Sequence, residues 1–217
     1  MREDEDGPGD VIAFWFPDGA DPTEEEHLRL WSWRMRGGAH EAVLARFSGL
    51  TERAASGALD HWAETPEGRL ALILILDQFT RSVWAGTARA FSCDAKAREL
   101  CLEGIANGHF DALVNVWQKA AFKIPLEHCE CPDHLVNLDL AIAIADRLAG
   151  EAPEGLRQAY AMGAGQPRLH RAVIERFGRH PHRNALLRRE STAEEQAYLA
   201  TGDFPHTTRI SLPGSDT

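Results

Sequence analysis

Three short segments of this chain hold residues whose types and spacing could do chemistry. The first is Asp77, Gln78 and Arg81, which interrupt the most hydrophobic run in the sequence. Asp77 and Arg81 are four residues apart, so on a helix they share a face. They either satisfy one another as an ion pair within the helix or turn a buried carboxylate and guanidinium toward a pocket. Charges are almost never buried unless paired or used. The second segment is His128-Cys129-Glu130-Cys131-Pro132-Asp133-His134. Imidazole beside carboxylate suits general acid–base work near neutral pH. Its two thiols, one residue apart and with no second pair elsewhere, lack the spacing of a closed zinc site. A helix start at Pro132 would place backbone N–H groups and a positive dipole end beside the thiols and lower their pKa. A reactive cysteine is therefore the sharper alternative to a turn whose polar side chains cap the helix. The third segment is Arg176-Phe177-Gly178-Arg179-His180-Pro181-His182-Arg183-Asn184, the densest run of cation in an otherwise acidic chain. Arginine forks bind carboxylate or phosphate bidentately. The plainer alternative is a surface turn whose arginines cap carbonyls and pair with the chain's own acids.

Taken together, the segments predict that Asp77, Arg81, His128, Glu130, Arg179, His182 and Arg183 converge on one cavity. His128, Glu130 and His182 would move protons, and Asp77 would orient one of the other side chains. Arg81, Arg176, Arg179 and Arg183 would hold an anionic group, with Gln78 and Asn184 as further polar contacts to the ligand. An anion clamp with acid–base residues suits hydrolysis, elimination or isomerisation. No metal and no organic cofactor are expected, because the ligand spacing is wrong and no glycine-rich phosphate loop occurs. His170 reads as a hydrogen-bonded core residue, and the six tryptophans as core anchors.

The elements that must position these residues read as helices. Thr65-Pro66 is an N-cap followed by proline at the first helical position. The apolar pattern then runs through Leu70–Leu76 to Phe79, Val83 and Trp84, predicting a buried helix of about 18 residues. The run Asp21-Pro22-Thr23-Glu24 has the form of a capping box opening a helix toward Arg36, closed by Gly37-Gly38. Further helices are expected over 39–47, 94–107, 110–122 and 132–148. Another spans 154–177, broken near Gly163–Pro167, and a short one follows Ser191-Thr192. No stretch alternates in the manner of a half-buried strand. The expected fold is all-α, with eight or nine helices in a single domain over 11–204. A disordered tail over 1–10 and a loose tail over 205–217 flank it.

The 217 residues carry 23 Lys and Arg against 33 Asp and Glu, a net charge of −10, and 44% are hydrophobic. That balance disfavours nucleic acid and anionic membranes, both of which demand clustered cation. No apolar run approaches the roughly 20 residues that span a bilayer, and no export signal is visible. A cytoplasmic protein with free thiols at Cys93, Cys101, Cys129 and Cys131 is the expectation.

Four stretches resemble the bacterial family of unknown function DUF924. They are FWFPDG at 14–19, LDQFTRSVWAGTARAFSCDAKA at 76–97, IPLEHCE at 124–130 and RFGRHPHRNALLRREST at 176–192. The resemblance implies a tetratricopeptide-like right-handed superhelix of antiparallel helix pairs, but no reaction. Thr80, Cys129, His180 and Arg188 depart from the family pattern, which tends to have Pro, Ser, an aromatic and Gly there. A superhelix of this kind carries a groove, so the alternative function is an interaction module gripping an acidic peptide or a C-terminal carboxylate.

Overall fold

Every regular element among the described residues, 6–18 and 21–205 of a computed structural model, is helical. In chain order they are α1 (Pro8–Trp15), α2 (Glu24–Met35), α3 (His40–Ala55), α4 (Pro66–Leu74) and α5 (Thr80–Val83). Then come α6 (Asp94–Ala106), α7 (His109–Ala112), α8 (Val116–Phe122), α9 (Pro125–His128) and α10 (His134–Glu151). The last are α11 (Arg157–Gly163), α12 (Gln166–Phe177) and α13 (Ala193–Thr201). Three of these are single turns of four residues and ten are longer, against eight or nine expected. None is long and apolar enough to cross a membrane.

The buried helix predicted after Thr65-Pro66 is present and central. Thr65 Oγ1 accepts from the Gly68 N–H at 3.1 Å, and Pro66 occupies the first turn. α4 runs into a π-helical turn, Ile75–Phe79, and then into α5, giving one unbroken rod. Leu70, Leu72, Leu74, Ile75, Leu76 and Phe79 on this rod are fully buried. α1, α3, α6 and α8 pack around it, while α10 packs on α8, α9, α11 and α12. Trp15, Trp84 and Trp117 are buried, and Trp31, Trp33 and Trp62 lie partly buried against the same core.

Several boundaries differ from expectation. The stretch 110–122 is split, because Leu113 and Asn115 are extended and α8 begins only after Asn115. α3 continues eight residues past Phe47 to Ala55. α10 starts at His134, because Pro132 and Asp133 form the turn that precedes it. Pro22 lies just outside α2, where Thr23 is the N-cap and Glu26 closes the capping box. The expected disordered tail over 1–10 is already helical from Pro8. The Asp10 carboxylate accepts from the Gly7 N–H at 2.9 Å, and Asp6 pairs with Arg46 at 2.6 Å. A proline at the first helical position and an acid in the first turn explain why so polar a segment folds. Residues 1–5 lie outside the described residues. At the other end Pro205 is buried, and the rest of the expected tail, 206–217, lies outside them.

Candidate functional site

Asp77 sits on the π-helical turn of the central rod and is completely buried. A π turn widens the helix by one residue and is found often at functional sites. His128 ends the one-turn helix α9, and its Nδ1 lies 2.9 and 3.0 Å from the two Asp77 carboxylate oxygens. Because a carboxylate accepts, the imidazole N–H must be at Nδ1, which leaves Nε2 as the basic nitrogen. That Nε2 makes no hydrogen bond among the described residues, and the side chain is 15% exposed. Gln78 Nε2 donates to Asp77 Oδ2 at 2.5 Å.

The predicted pairing of Asp77 with Arg81 exists, at 3.5 Å, but Arg81 has a nearer partner. Its Nη2 donates to both oxygens of Asp94, at 3.0 and 3.2 Å, and it also donates to the Asp77 backbone carbonyl. Arg183 Nη1 reaches the same Asp94 at 2.9 Å, with its guanidinium over the Phe91 ring at 4.4 Å. Asp94 therefore joins two arginines that are 102 residues apart in sequence. It was missed because an acid in the first turn of α6 reads as an ordinary helix-starting residue.

Around Glu127 five histidines gather. Both His134 Nε2 and His180 Nε2 lie 3.2 Å from the Glu127 backbone oxygen. Successive ring centres, His128–His170, His170–His180, His180–His134 and His180–His182, are 5.9, 5.5, 5.4 and 5.5 Å apart. The Glu127 side chain pairs with buried Lys123, and His170 Nε2 stands 3.9 Å from its other oxygen. His180 is thus a ring packed among rings, as the resemblance to a family with an aromatic there leads one to expect.

Electrostatics divide the predicted site residues by what they can do. Burial pushes the His128 pKa well below the ordinary imidazole value, and Arg81, His170, Arg183 and His182 add to it. Burial likewise lowers His180 and His134. Asp77 is pushed up by burial and held back by Arg81, Gln78 and Arg183. For Glu130 burial raises the pKa, but Arg189, the His180 N–H and Arg183 outweigh it, so the carboxyl lies below its usual range. Glu130 accepts from the His180 N–H at 2.7 Å and from Arg189 at 2.5 Å. It is a fixed anion tying two loops together, poorly suited to the proton-carrying role expected of it. Burial, then Cys131, pushes the Cys129 thiol up to about 12. The helix end predicted to activate it is outweighed by desolvation.

Asp77, Gln78, Arg81, His128 and Arg183 are thus brought together, and Glu130 and His182 adjoin them through His180. Three predicted contacts are not. Arg176 is exposed and pairs with Glu194 at 2.7 Å. Arg179 grips Glu195 at 2.6 and 2.8 Å, and Asn184 Nδ2 donates to Ser191 at 3.0 Å. These residues fasten α13, whose Glu195 is held down to about 2, chiefly by Arg179. The clustered side chains touch one another. A hollow of about 250 Å³, lined by Pro66, Glu67, Leu113, Asn115 and Gln118, lies at the start of α4. Among the described residues no three His, Cys, Asp or Glu side chains are arranged to hold a metal ion.

The family model described as a bacterial protein of unknown function (DUF924) matches residues 11–203. The chain is also similar to the solved structure of ATU0120, a protein of unknown function from Agrobacterium tumefaciens. The two share 31% identity with a TM-score of 0.68, over 90% of this chain and 97% of that one. No curated protein matches.

Proposed function

We propose that this chain, which belongs to the DUF924 family, binds a small anionic molecule at the Asp77–His128–Arg81–Arg183 cluster and uses His128 as a general base. One observation carries the reading. A buried carboxylate fixes the His128 tautomer at Nδ1 and leaves Nε2 as the basic nitrogen of a ring 15% exposed, while Arg81 lies 3.5 Å from the same carboxylate. A base needs a lone pair within reach of the proton it takes, and an anion needs a desolvated cation. Gln78 adds a polar contact at the same edge, and His182 supplies a second imidazole behind it. Hydrolysis, elimination and isomerisation are all compatible with one base and a guanidinium clamp. Arg176, Arg179 and Asn184 fall outside this reading, since each is engaged in fastening α13. The four free cysteines, three of them buried, fit a cytoplasmic protein.

The tetratricopeptide-like superhelix that the resemblance implies supports a second reading, a groove for an acidic peptide. It is the weaker one, because Arg176, Arg179 and Arg183 already face Glu194, Glu195 and Asp94. A screen of anionic, neutral and cationic metabolites by thermal shift tests the choice. A ligand that binds only the native state raises its melting temperature by mass action. Anionic hits that lose their effect in Arg81→Gln are expected. Hits confined to neutral or cationic compounds, or unaffected by Arg81→Gln, would sink the proposal.

A further inference from the structure

The charges buried around His128 balance. Asp77, Asp94, Glu127 and Glu130 face Arg81, Arg183, Lys123 and Arg189, four against four. Every one of these groups is tied to another of the set. Beside the thiols of Cys93, Cys101 and Cys129, whose pKa values burial raises, the five imidazoles are the titratable groups left here, and the balance holds only while they are neutral. Into this setting a further anion brings at least one uncompensated charge, at high cost in a desolvated site.

The place where an anion would sit is marked by a donor. Arg183 Nε has no hydrogen-bond partner among the described residues, and the side chain is only 5% exposed. Buried donors without partners are rare in native proteins, and each calls for a ligand or water. His128, whose pKa Arg183 already influences, is a group able to neutralise the newcomer. Asp77 and Arg81 face it from the central rod, His170 from α12, and Arg183 and His182 from the turn after α12. Its Nδ1–H already lies on the Asp77 carboxylate, so Nε2 can accept a proton without the ring moving.

We infer that the ligand is an oxyanion, a carboxylate, phosphate or sulfate, which seats on Arg81 and Arg183 and enters together with one proton taken up at His128 Nε2. The inference rests on the anion-site reading above and specifies the ligand's chemistry and its coupling to pH. The imidazolium then sits between the Asp77 carboxylate and the bound anion and offsets one of the charges the anion brings. By linkage, an anion that brings in a proton binds more weakly as pH rises, and protonation of His128 is favoured by the anion to the same extent.

Sulfate is a suitable probe, because it carries no titrating proton near neutral pH. Calorimetric titration of the full chain in two buffers of different ionisation enthalpy gives the protons taken up per sulfate bound. The expected results are close to one proton at pH 7.5 and a Kd that rises about tenfold per pH unit above neutrality. His128→Gln should still bind sulfate, but without uptake and without pH dependence. Its circular dichroism and melting curve would establish that it folds. Sulfate bound with no proton uptake, or uptake persisting in His128→Gln, overturns the coupling and leaves the anion site standing. No sulfate binding overturns this inference as well, while the metabolite screen judges the site itself.

Discussion

His128 has one nitrogen committed and one free, and that asymmetry is the chemical content of the site. Asp77 holds the Nδ1–H tautomer, an arrangement that elsewhere orients a base and stabilises its protonated form. Here burial and Arg81 work against protonation of the resting protein. Nitrogen NMR of the imidazoles should therefore find His128 neutral at pH 7, protonated at Nδ1 and unprotonated at Nε2. Asp77→Asn removes the carboxylate that selects the tautomer and should populate the Nε2–H form. A charged His128 at pH 7, or an unchanged tautomer in Asp77→Asn, would show that the Asp77 contact does not govern it. Cys129 makes the contrasting case at the same scale. Two thiols and a helix start look reactive in sequence, yet burial removes the thiolate.

At the scale of elements, two local devices place the cluster. The π turn inside a leucine-rich rod sets Asp77 toward α9, and Thr80 Oγ1 bonds back to the Leu76 carbonyl at 3.0 Å. Gly178 ends α12 in the left-handed region, with φ 69°, and turns the chain into the segment bearing His180, His182 and Arg183. That segment closes at Arg188, the one described non-glycine residue with positive φ, at 53°. The resemblance leads one to expect glycine there, and glycine would adopt this backbone without strain. A side chain costs roughly 1–2 kcal/mol in this conformation, against the greater freedom that glycine gives the unfolded chain. Arg188→Gly should accordingly stabilise the protein by about 0.5–1 kcal/mol, a rise of roughly 1–4 °C in Tm for a chain of this size. A lower Tm would mean that the arginine side chain contributes more than its backbone costs.

Across the whole molecule the buried imidazoles set the response to acid. Burial lowers His27 to about 4 and also lowers His128, His134 and His180. Below the unfolded value of about 6.5 the unfolded chain binds protons that the folded chain refuses, so stability falls as pH drops through that value. Each such histidine contributes about 1.4 kcal/mol per pH unit over the interval between its two pKa values. Asp77 and Asp94, raised by burial, act in the opposite sense but only in the more acidic carboxylate range. Urea midpoints should therefore decline steeply between pH 7 and 5. A flat profile there would show that these imidazoles are already protonated in the folded protein.

The helical class, the buried rod after Thr65-Pro66, and the helix start at Thr192 were legible in the sequence, while the capping box expected at Asp21–Glu24 lies two residues later, at Thr23–Glu26. They depend on periodicity and on contacts within four residues. The residue types of the site were legible too, because charges inside an apolar helix and a run of arginines in an acidic chain need a reason. Which of them meet was decided by tertiary structure alone. Arg183 turns inward to Asp94 whereas Arg179, four residues earlier, turns to Glu195 and fastens α13. Both are arginines on one turn, and only the packing of α6 and α13 against that turn separates their fates. His170, read as an ordinary core residue, and Asp94, read as a helix start, became parts of the site in the same way. Their partners are 42 and 13 residues distant, beyond the reach of any local pattern, and the free energy that selects them comes from burying those charges together.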